Sequence, residues 1–149
     1  MTAIRSLFSM FLILCLNTCY AQEIKQEQLT ERERLYWDAG NKKIRARGAY
    51  YQDEIVGVTN EKHGKWWFYD AKGNLTEEQY FYRGRIHGKQ LSFHPNKKIA
   101  SESYFVFNVA DSIFREWNAD GQLIVEGLYE MGSPNGVWNY FYNDGAIKS

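Results

Sequence analysis

Cysteine is nearly missing from this sequence, and so is any excess of charge. The two cysteines, Cys15 and Cys19, both fall within the first 22 residues. A chain that sheds those residues can form no disulfide, even in an oxidising compartment that permits one. Lysine and arginine number 18, and so do aspartate and glutamate. That balance argues against a general nucleic-acid or anionic-membrane binder, since both need a basic surplus. Long apolar runs are lacking as well: Leu7 to Leu16 is too short to span a bilayer as a mature helix. No Gly-x-Ser-x-Gly elbow or phosphate-binding loop is present, and no cysteine nucleophile lies after position 22. The 149 residues suffice for one ordinary domain and are too few for two comfortable ones.

The opening segment, MTAIRSLFSMFLILCLNTCYAQ, has the order of a secretory leader: Arg5, the apolar stretch, then small and polar residues up to Cys19-Tyr20-Ala21. Residues 1–21 are therefore expected to be a signal peptide cut after Ala21, placing the chain in the periplasm or outside the cell. The competing reading is a lipoprotein leader whose lipidated Cys19 becomes the N-terminus, the one case in which the chain is membrane-bound. Leu16-Asn17-Thr18-Cys19 departs from the small residue usual just before such a cysteine. Cleavage after Ala21 removes Arg5, leaving 17 basic against 18 acidic side chains and a net charge of −1.

What the chain does have is aromatic residues, 25 of them, 22 after position 21, arranged in a repeat. Sliding the sequence by 24 residues lays HGKWWFYDAKGNLTEEQYFYRGRI over HGKQLSFHPNKKIASESYFVFNVA, then over DSIFREWNADGQLIVEGLYEMGSP and NGVWNYFYNDGAIKS, without gaps from His63 onward. Gly64, Gly88 and Gly136 share a column with Ser112 as the exception; Gly73, Gly121 and Gly145 share another with Lys97 as the exception. Tyr69, Phe93, Trp117 and Phe141 are always aromatic, Leu75, Ile99, Leu123 and Ile147 always aliphatic, and Glu78, Glu102 and Glu126 always acidic. A looser first unit begins near Trp37.

Each unit reads as a β-hairpin, with aromatic and β-branched strands interrupted by Gly-bearing turns such as DAKGN and NADGQ. Lys97 stands where the turn needs a left-handed residue, at a cost of roughly 1 kcal/mol. The expected fold is all-β: an elongated, single-layer antiparallel meander of hairpin repeats over residues 37–149, behind the leader. With no second layer, stacked rings on neighbouring strands must supply the burial. Residues 22–36 carry charge and no turn residue, so they form either a short helix capped by Thr30 and Glu33 or a solvated tether. The extra residues in QDEIVGVTNEK are expected to form a longer loop.

The segments FYRGRIHGK and YEMGSPNGVW carry Gly-x-x-x-Gly after an aromatic and lead into aromatic strands with turns such as NADG. In this the chain from about Trp37 to Ser149 resembles the bacterial variant of the membrane occupation and recognition nexus (MORN) repeat, with Gln90, Lys97 and Ser112 as departures. The resemblance implies a protein- or lipid-contacting scaffold, and some members of that group are named antitoxin-like.

Candidate sites are few. His63 and His87 share a column about 10 Å apart, which suits polar turn residues rather than ligands of one zinc ion. The Glu78 column gives equal spacing and like environments, the mark of a repeated structural contact rather than of an acid–base pair. The sequence thus points away from an enzyme and implies no cofactor or metal. It points to an exported scaffold for an unidentified protein partner. The resemblance adds an antitoxin-like partner of a toxin as one alternative, and the other alternative is a carbohydrate- or envelope-binding module. The aromatics Trp66, Trp67, Tyr80, Tyr82, Trp138, Tyr140 and Tyr142 are the candidate contact residues. The last strand, with few residues after Ile147 to pair it, is a candidate edge for self-association.

Overall fold

Turns every eight to twelve residues leave the chain little choice but to double back on itself. In the structure, a computed structural model describing residues 29–30 and 32–148, it does so throughout. The leader expected at 1–21 and residues 22–28 lie outside the described residues. The strands are β1 Glu33–Tyr36, β2 Ile44–Asp53, β3 Gly57–Tyr69, β4 Leu75–Tyr82, β5 Arg85–Phe93, β6 Ile99–Val106, β7 Val109–Ala110, β8 Ser112–Trp117, β9 Leu123–Glu130 and β10 Ser133–Tyr140. All belong to one open antiparallel sheet in the order β1-β2-β3-β4-β5-β6-β8-β9-β10, with β7 against β6. The described residues contain no helix, so the expected all-β hairpin meander is what forms.

Two kinds of turn alternate. At one end of the sheet lie Asp70–Asn74, His94–Lys98, Asn118–Gln122 and Tyr142–Ala146, each closed by a backbone hydrogen bond from the residue in the left-handed column. Gly73, Gly121 and Gly145 have positive φ there, and Lys97 adopts φ 69° in spite of its side chain. Ser112, the exception in the other Gly column, likewise sits at φ 75°. The repeated backbone overrides the local sequence at both places. At the opposite end the strands are joined by two-residue turns, Arg83-Gly84, Phe107-Asn108 and Met131-Gly132, with φ positive at both positions. Such turns match the twist of the strands they join.

Two expectations need correction. Residues 22–36 are neither helix nor free tether in their described part. Leu29 bridges Tyr51, Thr30 accepts a hydrogen bond from the Tyr50 amide, and β1 pairs with β2. Leu35 packs on the core, which outweighs the helical preference of a charged segment. The insertion after Tyr51 is not a loop but a longer hairpin: Gln52 pairs with Val58 and Asp53 with Gly57. Asp53 closes its tip by accepting from the Ile55 and Val56 amides.

Alternation along the strands sends side chains to two unlike faces. The first carries the buried core of Ala46, Trp66 and Phe81, with Leu35, Tyr50, Phe68 and Ile86 packed around it. A second aromatic cluster on the same face joins Phe114, Tyr129 and Trp138, with ring centroids 5.1 to 6.0 Å apart. Between the clusters the face is polar: Gln79 donates to Glu77, and the Ser92 and Ser101 hydroxyls meet at 2.6 Å. Both clusters use one device. The Trp66 indole lies flat on Gly48 and donates to the Ala49 carbonyl; Trp138 lies flat on Gly127 and donates to that of Leu128. A Cβ on either glycine would overlap the ring.

Candidate functional site

The second face carries the Glu column, and the pairing of strands dictates what meets it. Trp67 stands opposite Glu78, Leu91 opposite Glu102 and Arg115 opposite Glu126. Each carboxylate takes one cation, Lys65 at 2.5 Å, Lys89 at 2.7 Å and Arg115 at 2.6 Å. Aromatic residues complete the pattern: Trp67 Nε1 donates to Glu78 at 2.9 Å, and the Tyr104 hydroxyl donates to Glu102 at 2.9 Å. Burial works to raise the Glu102 carboxyl. Hydrogen bonds from Lys89 and Tyr104, together with the Lys89 charge, hold it below its ordinary value. The hydrogen bond to Glu102 raises Lys89 in turn. Three like pairs, each saturated by its own neighbour, make an electrostatic ladder across the face. None is a free acid beside a free base.

The expected contact aromatics do not form one surface. Trp66 is 0 % exposed and offers nothing to a partner. Adjacent tryptophans point to opposite faces, and Gly48 admits one of them to the core. Trp67 and Tyr80 lie on the laddered face. The Trp67 ring is already attended by Arg47, Lys65 and Arg32 at 5.0 to 5.3 Å. Tyr82 is half-buried between His63 and His87. Trp138 belongs to the second aromatic cluster, Tyr140 is exposed on that same face, and Tyr142 lies in the last turn beneath Lys148. Sequence reasoning missed Lys89, Tyr104 and Arg115 as members of the laddered face. The signal was present: they flank the Glu column at pairing distance once the hairpin register is drawn.

His63 is a correction too. Far from being a polar turn residue, it is 0 % exposed, packed between Tyr51 and Tyr82 at ring separations of 5.2 Å. Its Nδ1 accepts the Arg83 amide, and its buried Nε2 has no partner. Burial lowers its pKa, Arg83 lowers it further, and Glu61 opposes the shift. His87, stacked on Phe107 at 4.6 Å, is lowered by burial and by Arg85. Among the described residues no group of three metal-binding side chains assembles.

Compared with known families, residues 86–106 match the MORN repeat variant. The match covers β5, its turn and β6, one hairpin of the repeat. It falls on a unit that carries two of the departures, Gln90 and Lys97. Comparisons with curated proteins and with solved structures give no match.

Proposed function

We propose that this chain is a non-enzymatic β-repeat scaffold, exported behind a leader cut after Ala21, whose laddered face binds another protein. One observation carries the reading. That face is a mosaic of cations, carboxylates and rings, and its largest ring, Trp67, is covered by its own cations. Sugar recognition by stacking needs open, coplanar rings. Protein surfaces match mixed patches of charge and aromatic area. The match of residues 86–106 to a MORN repeat supports the scaffold part of the reading, and repeat sheets offer broad surfaces for such contacts.

The test immobilises the chain from Gln22 onward and exposes it to envelope and secreted fractions of its host. A protein should be retained by the wild type and lost from a Lys89→Glu, Arg115→Glu variant whose circular dichroism is unchanged. Equal retention by both, or retention of a glycan alone, would overturn the assignment. Intact mass of the exported chain should begin at Gln22, and a lipid-bearing Cys19 would refute the cleavage.

A further inference from the structure

The ladder on the second face changes sign at β2. Gly48 and Gly127 lie under matching tryptophans, which aligns β2 with β9. In that alignment Arg47, just before Gly48, takes the place that Glu126 holds just before Gly127. Arg47 stands opposite Trp67 as Glu126 stands opposite Asn139. On its other side Arg47 pairs with Arg34, as Glu126 pairs with Arg115. Where β8 and β9 set a cation against a carboxylate, β1 and β2 set a cation against a cation. Both arginines are exposed, and both project from the laddered face, because their neighbours Leu35 and Ala46 belong to the core side.

Like charges directly opposite one another destabilise a strand pair. Here a third cation adds to them, since Arg32 joins Arg47 over the Trp67 ring at 5.3 and 5.0 Å. Glu78, on the far side of that ring, is already engaged by Lys65 and the Trp67 indole. Glu33 alternates to the opposite face. Among the described residues no carboxylate forms an ion pair with Arg32, Arg34 or Arg47. We propose that this arginine corner around Trp67 receives the carboxylates of an acidic segment of the protein partner, laid along β1 and β2. The proposal rests on the reading of the laddered face as a protein surface, and it gives that partner its chemistry. The face itself shows what its cations accept, because Lys65, Lys89 and Arg115 each hold one carboxylate. A guanidinium can grip a carboxylate through two parallel N–H donors, and stacking on an indole leaves those donors free at its rim. The far end of the face has no such surplus: Arg115 is matched by Glu126, and Leu128 beside them is exposed and apolar. Charge therefore directs an acidic segment to one end of the face.

Fluorescence anisotropy of labelled hexaglutamate, titrated with the chain from Gln22 onward, tests the corner by itself. The peptide should bind, less tightly in high salt. An Arg34→Gln, Arg47→Gln variant with unchanged circular dichroism should bind it more weakly by about tenfold or more. Lys97→Gln, Lys98→Gln removes the same charge from a distant turn and should bind as the wild type does. The arginine variant, immobilised, should also lose the protein that the wild type retains. No binding of hexaglutamate, or equal weakening by both variants, would overturn the proposal. So would arginine-dependent attachment to phosphatidylglycerol vesicles without binding of hexaglutamate, which would assign the corner to a lipid surface. A protein lost from Lys89→Glu, Arg115→Glu but kept by Arg34→Gln, Arg47→Gln would sink the corner alone and leave the protein reading of the face standing.

Discussion

His63 shows how one side chain sets a property of the fold. Its neutral imidazole is buried with an unpartnered Nε2, and its pKa is depressed mainly by burial. The unfolded chain therefore binds the proton more tightly than the folded one, with an ordinary value near 6.5. Stability is fully present above that value and falls as pH drops below it, towards the lower folded pKa. Chemical denaturation between pH 8 and pH 5 should show this decline. His63→Phe should reduce it, leaving the smaller decline that the likewise lowered His87 contributes, and the His63 ring should titrate below the ordinary value by NMR. A pH-independent midpoint in the wild type would contradict the account. The large rings also differ in weight. Trp66→Ala should cost about 3–5 kcal/mol, because it empties a fully buried site. Trp117→Ala should cost less, its ring being only partly buried. Lys97→Gly should add up to about 1 kcal/mol by relieving the left-handed lysine, partly offset by the flexibility of glycine when unfolded. Melting and urea titration of the three variants order these effects.

The hairpin is the element in which most of the sequence was legible. Turn positions followed from glycine columns, and the strands followed from what lies between them. Even the exceptions Lys97 and Ser112 adopt the backbone of the glycines they replace. What the sequence hid was the distribution between faces. WWFY puts large rings on both sides, and burial of Trp66 rather than Trp67 depends on Gly48, one strand away and 18 residues earlier. His63 was hidden for a similar reason. Tyr51 reaches it through an extended hairpin where a loop was expected. The ladder was half visible: the Glu column stood out, but its cations come from two different columns, Lys65 and Lys89 from one and Arg115 from another. Pairs exposed to this degree contribute at most about 1 kcal/mol each. Glu102→Gln should therefore lower stability only slightly, by an amount that shrinks in high salt. A loss of several kcal/mol in denaturant titrations would show the ladder to be structural first and a surface second.

For the molecule as a whole, a single-layer sheet has to find its burial on one face, and this one concentrates it at two places. Ala46, Trp66 and Phe81 form the buried core on β2 to β4, and Phe114, Tyr129 and Trp138 hold β8 to β10 together. The span between them rests on Gln79, Glu77 and paired serines. Local opening follows local burial, so unequal packing along the sheet implies unequal protection. Residue-resolved hydrogen exchange of the chain, in dilute solution near pH 7, tests this directly. The slowest amides should lie in β2 to β4, with faster exchange across the middle of β5 and β6. Exchange that is slowest in β5 and β6, or as fast in β2 to β4 as at the edges, would contradict a sheet built on that core.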